Sequence, residues 1–263
     1  MSSPLPAVLA FSASDPTGGA GIQADLLTIA SLGCHPLSVL TALTAQDTRG
    51  VDAFNAVEPA WIARQARVVL DDIPVAAFKL GMLGSARNAE AVAAILAGHP
   101  RIPVVLDPVL ASGRGDALAD DETVQALRSA LLPLVTVLTP NSLEARRLAL
   151  AAPDAGLADC ARALTGLGCQ YVLVTGTHEP GTQVVNTLYG AGGALREDRW
   201  PRLAGEYHGS GCTLASALAA FLARGLALED AVREAQAYTW KALQAGFQPG
   251  RGQHLPNRLF DSQ

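Results

Sequence analysis

No CxxC pair joins the four cysteines (Cys34, Cys160, Cys169 and Cys212), so neither a zinc site nor a disulfide framework is suggested. No uninterrupted apolar stretch approaches the ~20 residues of a membrane span. The opening MSSPLPAVLAFSASD also lacks the positive n-region and long apolar h-region of a secretory signal. A soluble cytoplasmic protein is expected. Basic runs are missing: 19 Lys and Arg against 24 Asp and Glu leave a net charge of −5, which argues against a nucleic-acid surface. The G-x-x-x-x-G-K-[ST], G-x-S-x-G and H-E-x-x-H motifs are absent, which argues against P-loop nucleotidases, α/β-hydrolases and zincin-type metalloproteases.

Apolar residues make up 49% of the 263 positions, enough for a substantial core. Short β-like runs alternate with helical stretches along the whole chain. Strands are expected at 7–13, 36–46, 75–83, 102–109, 135–140 and 171–177, with a hairpin at 183–200. Helices are expected at 21–33, 61–72, 86–97, 124–133, 142–150, 158–168, 211–224 and 229–246. Such alternation predicts an α/β fold, a mostly parallel central sheet with helices on both faces, and a single domain over 1–263.

In such sheets ligands bind beyond the carboxyl ends of the strands. The segments there are SASDPTGGAG, AQDTRG, GMLGS, DPVLASGRG, TPNSLE and TGTHE, all small, polar or charged, and they are expected to form one site. Gly19, Gly21 and Ala24 fit a dinucleotide G-x-G-x-x-A pattern, with Asp47 near the ribose position. Asp15-Pro16-Thr17, however, separates the strand from the glycines, where a dinucleotide turn is immediate.

The stretch Gly209-Ser210-Gly211-Cys212-Thr213 differs. Its glycines permit a concave turn of converging N–H groups, and the helix beginning there adds its positive dipole end, a setting for phosphate. Cys212 then stands either as a buried packing residue or beside a transferring phosphoryl group.

The ordered motifs resemble the hydroxymethylpyrimidine/phosphomethylpyrimidine kinases of the ribokinase-like superfamily, which serve thiamine biosynthesis. They are SDPTGGAGIQAD (14–25), TALTAQDTRGV (41–51), KLGMLGS (79–85), VVLDPV (104–109), LTPNSLEA (138–145), HGSGCT (208–213) and the tail PGRGQHLPNRLF. The resemblance implies ATP-dependent phosphorylation of 4-amino-5-hydroxymethyl-2-methylpyrimidine and then of its monophosphate. It implies Cys212 as general base or hydrogen-bond orienter, with Gly209, Ser210 and Gly211 as the anion hole. Ala13, Ala20, Gln46, Met82 and Val109 become candidate pyrimidine contacts. Gln46 offers a donor and an acceptor to an aminopyrimidine edge, and Met82 an adaptable apolar floor. Asn141, Thr175 and His178 become nucleotide-side candidates. Glu144 and Asp107 supply hard oxygens suited to Mg2+ and its waters. His208 is a further candidate for phosphate contact, and a homodimer is implied.

Two stretches depart from the family pattern, each by a lost lysine: Thr175-Gly176-Thr177-His178 and Ala111-Ser112-Gly113-Arg114, where Arg114 is the candidate replacement cation. The 110–117 segment is the lid candidate. A pyridoxal kinase of the same fold and a non-catalytic pyrimidine-phosphate-binding regulator are the alternatives.

Overall fold

The computed structural model describes residues 5–112 and 115–261. Strand β1 (Ala7–Ser14) sets the layers through its period-2 burial. Its Leu9 and Phe11 enter one core, and its Val8 and Ala10 enter the other. Helix α1 (Gly21–Ser31) leads to β2 (His35–Asp47), which folds back on β3 (Gly50–Ala56). Helix α2 (Pro59–Asp72) opens on a proline at its first position, where the missing N–H costs nothing. Next come β4 (Val75–Leu80), α3 (Ala86–Ala97) and β5 (Val104–Leu106). Helix α4 (Asp121–Ala126) runs into a π-helical turn at Leu127–Leu131 and a 3-10 turn at Leu132–Leu134, where Pro133 ends the helical path.

The second half adds β6 (Val137–Leu138), α5 (Ser142–Ala149), α6 (Leu157–Gly166) and β7 (Tyr171–Thr175). The hairpin β8 (Gln183–Gly190) and β9 (Gly193–Pro201) follows, and then α7 (Ser210–Ala223) and α8 (Leu228–Gln244). The nine strands form one sheet in the order β3-β2-β1-β4-β5-β6-β7-β8-β9. Pairing is parallel from β2 through β7 and antiparallel at both edges. Helices α2, α3, α5 and α6 contribute to the core on one face, and α1, α7 and α8 to the core on the other. Cys160 and Cys169 are packed in the first core and Cys34 in the second.

The expected α/β architecture holds, and the differences have local causes. Strand β3 carries mostly exposed residues, so it lacks the apolar alternation that would announce a strand. Strand β4 ends at Leu80 rather than 83, and β5 at Leu106 rather than 109, because Gly81 and Asp107 begin the irregular segments that build the site. The chain leaves β1 for β2 on one side and later enters β4 on the other. The order therefore reverses at β1 and opens a crevice at the carboxyl ends of β1 and β4.

Candidate active site

The loop after β1 is organised by Asp15, 1% exposed, whose carboxylate accepts from Thr17 N (2.8 Å), Thr17 Oγ1 (2.8 Å) and Ala20 N (2.7 Å). His208 Nε2 sits 2.9 Å from the same carboxylate. Burial pushes Asp15 up, but the bonds from His208 and Thr17 outweigh it and hold the carboxyl below its ordinary range. His208, expected either at phosphate or in solvent, instead ties the first loop to the turn before α7.

That turn uses Gly209 in the left-handed region, with φ 86°. A Cβ there would lie 1.8 Å from the carbonyl oxygen of Gly19, so only glycine lets the two loops touch. No side chain caps the start of α7, which leaves its first N–H groups for a ligand. Gly209 is the N-cap of α7, and Ser210, Gly211 and Cys212 form its first turn.

Cys212 is buried, and burial pushes its thiol up to about 12; Asp107 and Asp25 reinforce the rise against the opposing charge of Lys79. The nearby Gly21 N–H favours negative charge on the sulfur, and the Cys212 thiol favours it on the Asp107 carboxylate. A resident thiolate is therefore disfavoured in the ligand-free protein. Asp107 lies at the start of the irregular segment after β5, and its carboxyl is pushed up by burial against the pull of Lys79. Val109 itself takes a positive φ of 20°, a strained setting for a β-branched residue.

Beneath these groups lies a fully buried ion pair. Lys79 Nζ on β4 donates to Asp25 on α1 at 2.7 Å (Oδ1) and 2.9 Å (Oδ2), and Ser216 Oγ on α7 donates to Asp25 Oδ1 at 2.7 Å. Both charged side chains are 0% exposed.

Ala13, Met82 and Val109 meet in one small apolar cluster with Ala42, Leu118 and Val51. Gln46 joins it through its pairing with Val51, while its Nε2 donates to Thr44 Oγ1 at 2.7 Å. Gln46 also lines a cavity of about 390 Å³ with Pro16, Thr17, Asp47, Thr48, Arg49, Gly250 and Arg251. Ala20 caps α1, partly exposed, and does not join the apolar cluster. Asp47, the candidate ribose acid, is bound to Arg49 at the β2–β3 turn, which withdraws the dinucleotide reading.

On the far side, Asn141 and Thr175 are brought together as a parallel bridge. Asn141 Oδ1 accepts from Leu143 N and Glu144 N, and Glu144 Oε2 accepts in return from Asn141 N, a capping box for α5. Glu144 Oε1 also accepts from Leu110 N at 3.2 Å. Burial first, and the charge of Asp107 second, push Glu144 up to about 7. His178 stands at the surface in the turn after β7, its imidazole lowered by partial desolvation against that turn and by the charge of Arg202. Arg202 donates to the carbonyls of Thr177, Glu179 and Gly181 and so braces that turn. The 110–117 segment closes on itself through Ala111–Ala117 pairing and a Ser112–Asp116 bond, while Gly113 and Arg114 lie outside the described residues.

Sequence reasoning missed Lys79, Asp25 and Arg258 as members of the site. Lys79 and Asp25 stand inside quoted motifs, and the signal for them was a charge at an otherwise buried position of a strand and of a helix. Arg258 also stands inside a quoted motif, the tail at 249–260, but an irregular segment has no buried face against which its charge would stand out.

The fold and its strand-end site define a ribokinase-like phosphotransferase. The phosphomethylpyrimidine kinase family model matches residues 15–257, and the chain belongs to that family. A hydroxymethylpyrimidine/phosphomethylpyrimidine kinase of Streptomyces coelicolor is 44% identical, over 94% of this chain and 92% of that protein. The thiamine biosynthesis bifunctional protein ThiED of Geobacter sulfurreducens is 42% identical over 98% of this chain, which spans 53% of that longer protein. Among solved structures, an ADP complex of Bacillus subtilis pyridoxal kinase superposes with a TM-score of 0.91 at 29% identity, covering 98% of this chain and 99% of that one.

Proposed function

We propose that residues 1–263 act as one kinase domain that transfers the γ-phosphoryl group of ATP to the hydroxymethyl group of 4-amino-5-hydroxymethyl-2-methylpyrimidine. A second ATP then phosphorylates the monophosphate to the diphosphate. The observation that carries this reading is the meeting of Ala13, Met82 and Val109 in one apolar cluster. Ala13 also abuts Gly21, whose N–H lies near enough to Cys212 to act on its thiol. A ring on that cluster brings its hydroxymethyl arm to the start of α7, with Gln46 at the polar edge.

In the first transfer the substrate hydroxyl donates to the Cys212 sulfur. As its oxygen bonds to phosphorus, that proton passes to sulfur, the thiol proton passes to Asp107, and the bond to the ADP oxygen breaks. The relay suits a thiol held protonated by burial better than it suits a free thiolate. The N–H groups of Gly209, Ser210 and Gly211 face the charge that moves with the phosphoryl group.

Mg2+ fits the carboxylates present. Glu144 is raised partly by the charge of Asp107, a repulsion that a divalent cation relieves, and both offer hard oxygens. Held beside Asp107 and Glu144, the ion would supply positive charge to offset that of the phosphates. Glu144 would hold it through water, because both its oxygens already accept backbone N–H groups. Asn141 and Thr175 border the nucleotide, with His178 at its rim.

A homodimer fits the open β3 edge, where Phe54 is exposed beside Leu43 of β2. No helix among the described residues is long and apolar enough to cross a membrane.

Pyridoxal presents a similar hydroxymethyl arm, and the B. subtilis neighbour is a pyridoxal kinase. The pyrimidine reading is preferred because the curated relatives at 42–44% identity carry pyrimidine-kinase or thiamine-biosynthesis names. ADP release measured with the pyrimidine alcohol, its monophosphate and pyridoxal tests it. Turnover of pyridoxal alone would overturn the assignment.

A further inference from the structure

Two cations are buried near the strand-end crevice, and they are held differently. Lys79 has the Asp25 carboxylate. Arg258 is 4% exposed, yet among the described residues no carboxylate forms an ion pair with it. Its guanidinium instead donates to neutral groups of the two substrate loops. These are Thr213 Oγ1 at 3.0 Å, Gly18 O at 3.3 Å, Gly19 O at 2.5 Å and Gly209 O at 3.5 Å. The Arg258 carbonyl accepts from Tyr238 OH at 2.7 Å, which anchors the residue to α8.

Asp25 and Asp15 act on Arg258 only from beyond ion-pair distance; a buried charge with no carboxylate in direct contact is costly, and the cost falls when an anion arrives nearby. The Gly209 carbonyl belongs to the same peptide unit as the Ser210 N–H, the first of α7. A cation against the oxygen draws electron density from the N–H, so the donor that faces an anion is strengthened.

We propose that Arg258 is a positioning residue for phosphoryl transfer. It clamps the 18–19 loop to the 209–213 turn, and through the Gly209–Ser210 peptide it lends that turn a positive charge for the phosphoryl group. The inference rests on the kinase reading above, but its anion-binding half is tested without turnover.

Wild type, Arg258→Met and Arg258→Lys are compared by the Tm shift that inorganic phosphate produces, and by kcat and KM, after circular dichroism has established folding. Arg258→Met should lose the phosphate shift and about tenfold in kcat, with the pyrimidine KM within about twofold. Arg258→Lys, which keeps the charge but not the fork, should recover most of the phosphate shift. A wild-type phosphate shift and kcat in Arg258→Met overturns the proposal. So does a Lys variant as deficient as the Met variant, the mark of a purely structural tether. If Arg258→Met does not fold, the Lys variant decides alone, a retained phosphate shift supporting the charge role and a lost one overturning it. Wild type without kinase activity, alongside the expected phosphate shifts, would refute the reaction assignment while leaving the anion-site role of Arg258 supported.

Discussion

Replacing Lys79 with methionine tests the ion pair under the site. The substitution nearly conserves volume and leaves the Asp25 carboxylate, 0% exposed, with the Ser216 hydroxyl as its remaining hydrogen-bond donor. Breaking a buried pair from one side costs about 3–5 kcal/mol, because the other charge stays uncompensated. For a chain of this size that corresponds to a fall in Tm of roughly 10 °C. Urea unfolding at pH 7 gives the loss directly from the midpoint at unchanged slope. Asp25→Leu alone should cost a similar amount, whereas the double variant Lys79→Met/Asp25→Leu should recover about 2 kcal/mol or more relative to the sum. The pair also has a pH signature. Burial alone would lower the ammonium, but the Asp25 charge, with smaller contributions from Cys212 and Asp107, raises it above the ordinary lysine range. Its stabilisation is then complete below the unfolded value of about 10.4 and lost only as pH rises through the higher folded value. A Lys79→Met loss under about 1 kcal/mol, or strict additivity of the two substitutions, would refute the reasoning.

Gly209→Ala should destabilise by about 2 kcal/mol or more and abolish turnover, since its Cβ meets the Gly19 oxygen at 1.8 Å and its φ is positive; thermal melts and ADP release check this. Cys212→Ala should slow the first phosphorylation at least about 100-fold and the second far less, because a phosphate monoester is largely ionised near pH 7 and has no such proton to pass on. Equal loss in both half-reactions, followed separately by chromatography of the phosphorylated pyrimidines, would contradict the relay. Asp15→Asn should flatten the acid limb of stability. The lowered Asp15 carboxyl contributes stability that is present above the unfolded value of about 3.9 and is lost as pH falls through the folded one, so urea midpoints from pH 5 to 2 should fall less steeply in the variant.

The alternation of buried strands with amphipathic helices announced the layers, and the strand-end motifs announced Ala13, Met82, Val109 and the Gly209–Cys212 turn as neighbours. Three things escaped that reading for physical reasons. Strand β3 is held by backbone pairing to β2, and its exposed side chains carry no apolar period. The capping box of Asn141 and Glu144 uses the same carboxylate that a metal role would use, so a motif alone does not separate the two uses. Lys79 with Asp25, and Arg258 with Gly19, are contacts across 54 and 239 residues of chain, a distance over which local pattern carries no information.

The contact of Gly209 with Gly19 has a consequence for motion. The loop after β1 and the turn before α7 meet backbone to backbone, are bridged by Arg258, and are latched a second time by His208 on Asp15. They form a single jaw: a displacement of one is a displacement of the other, and neither can close on a substrate independently. Closure over a bound pyrimidine is then left to segments outside the jaw: the 110–117 lid candidate and the β2–β3 hairpin that carries Gln46 and Val51. A jaw tied in this way predicts one phosphate-facing geometry through both phosphorylations, with any adaptation to substrate bulk confined to the ring-facing side.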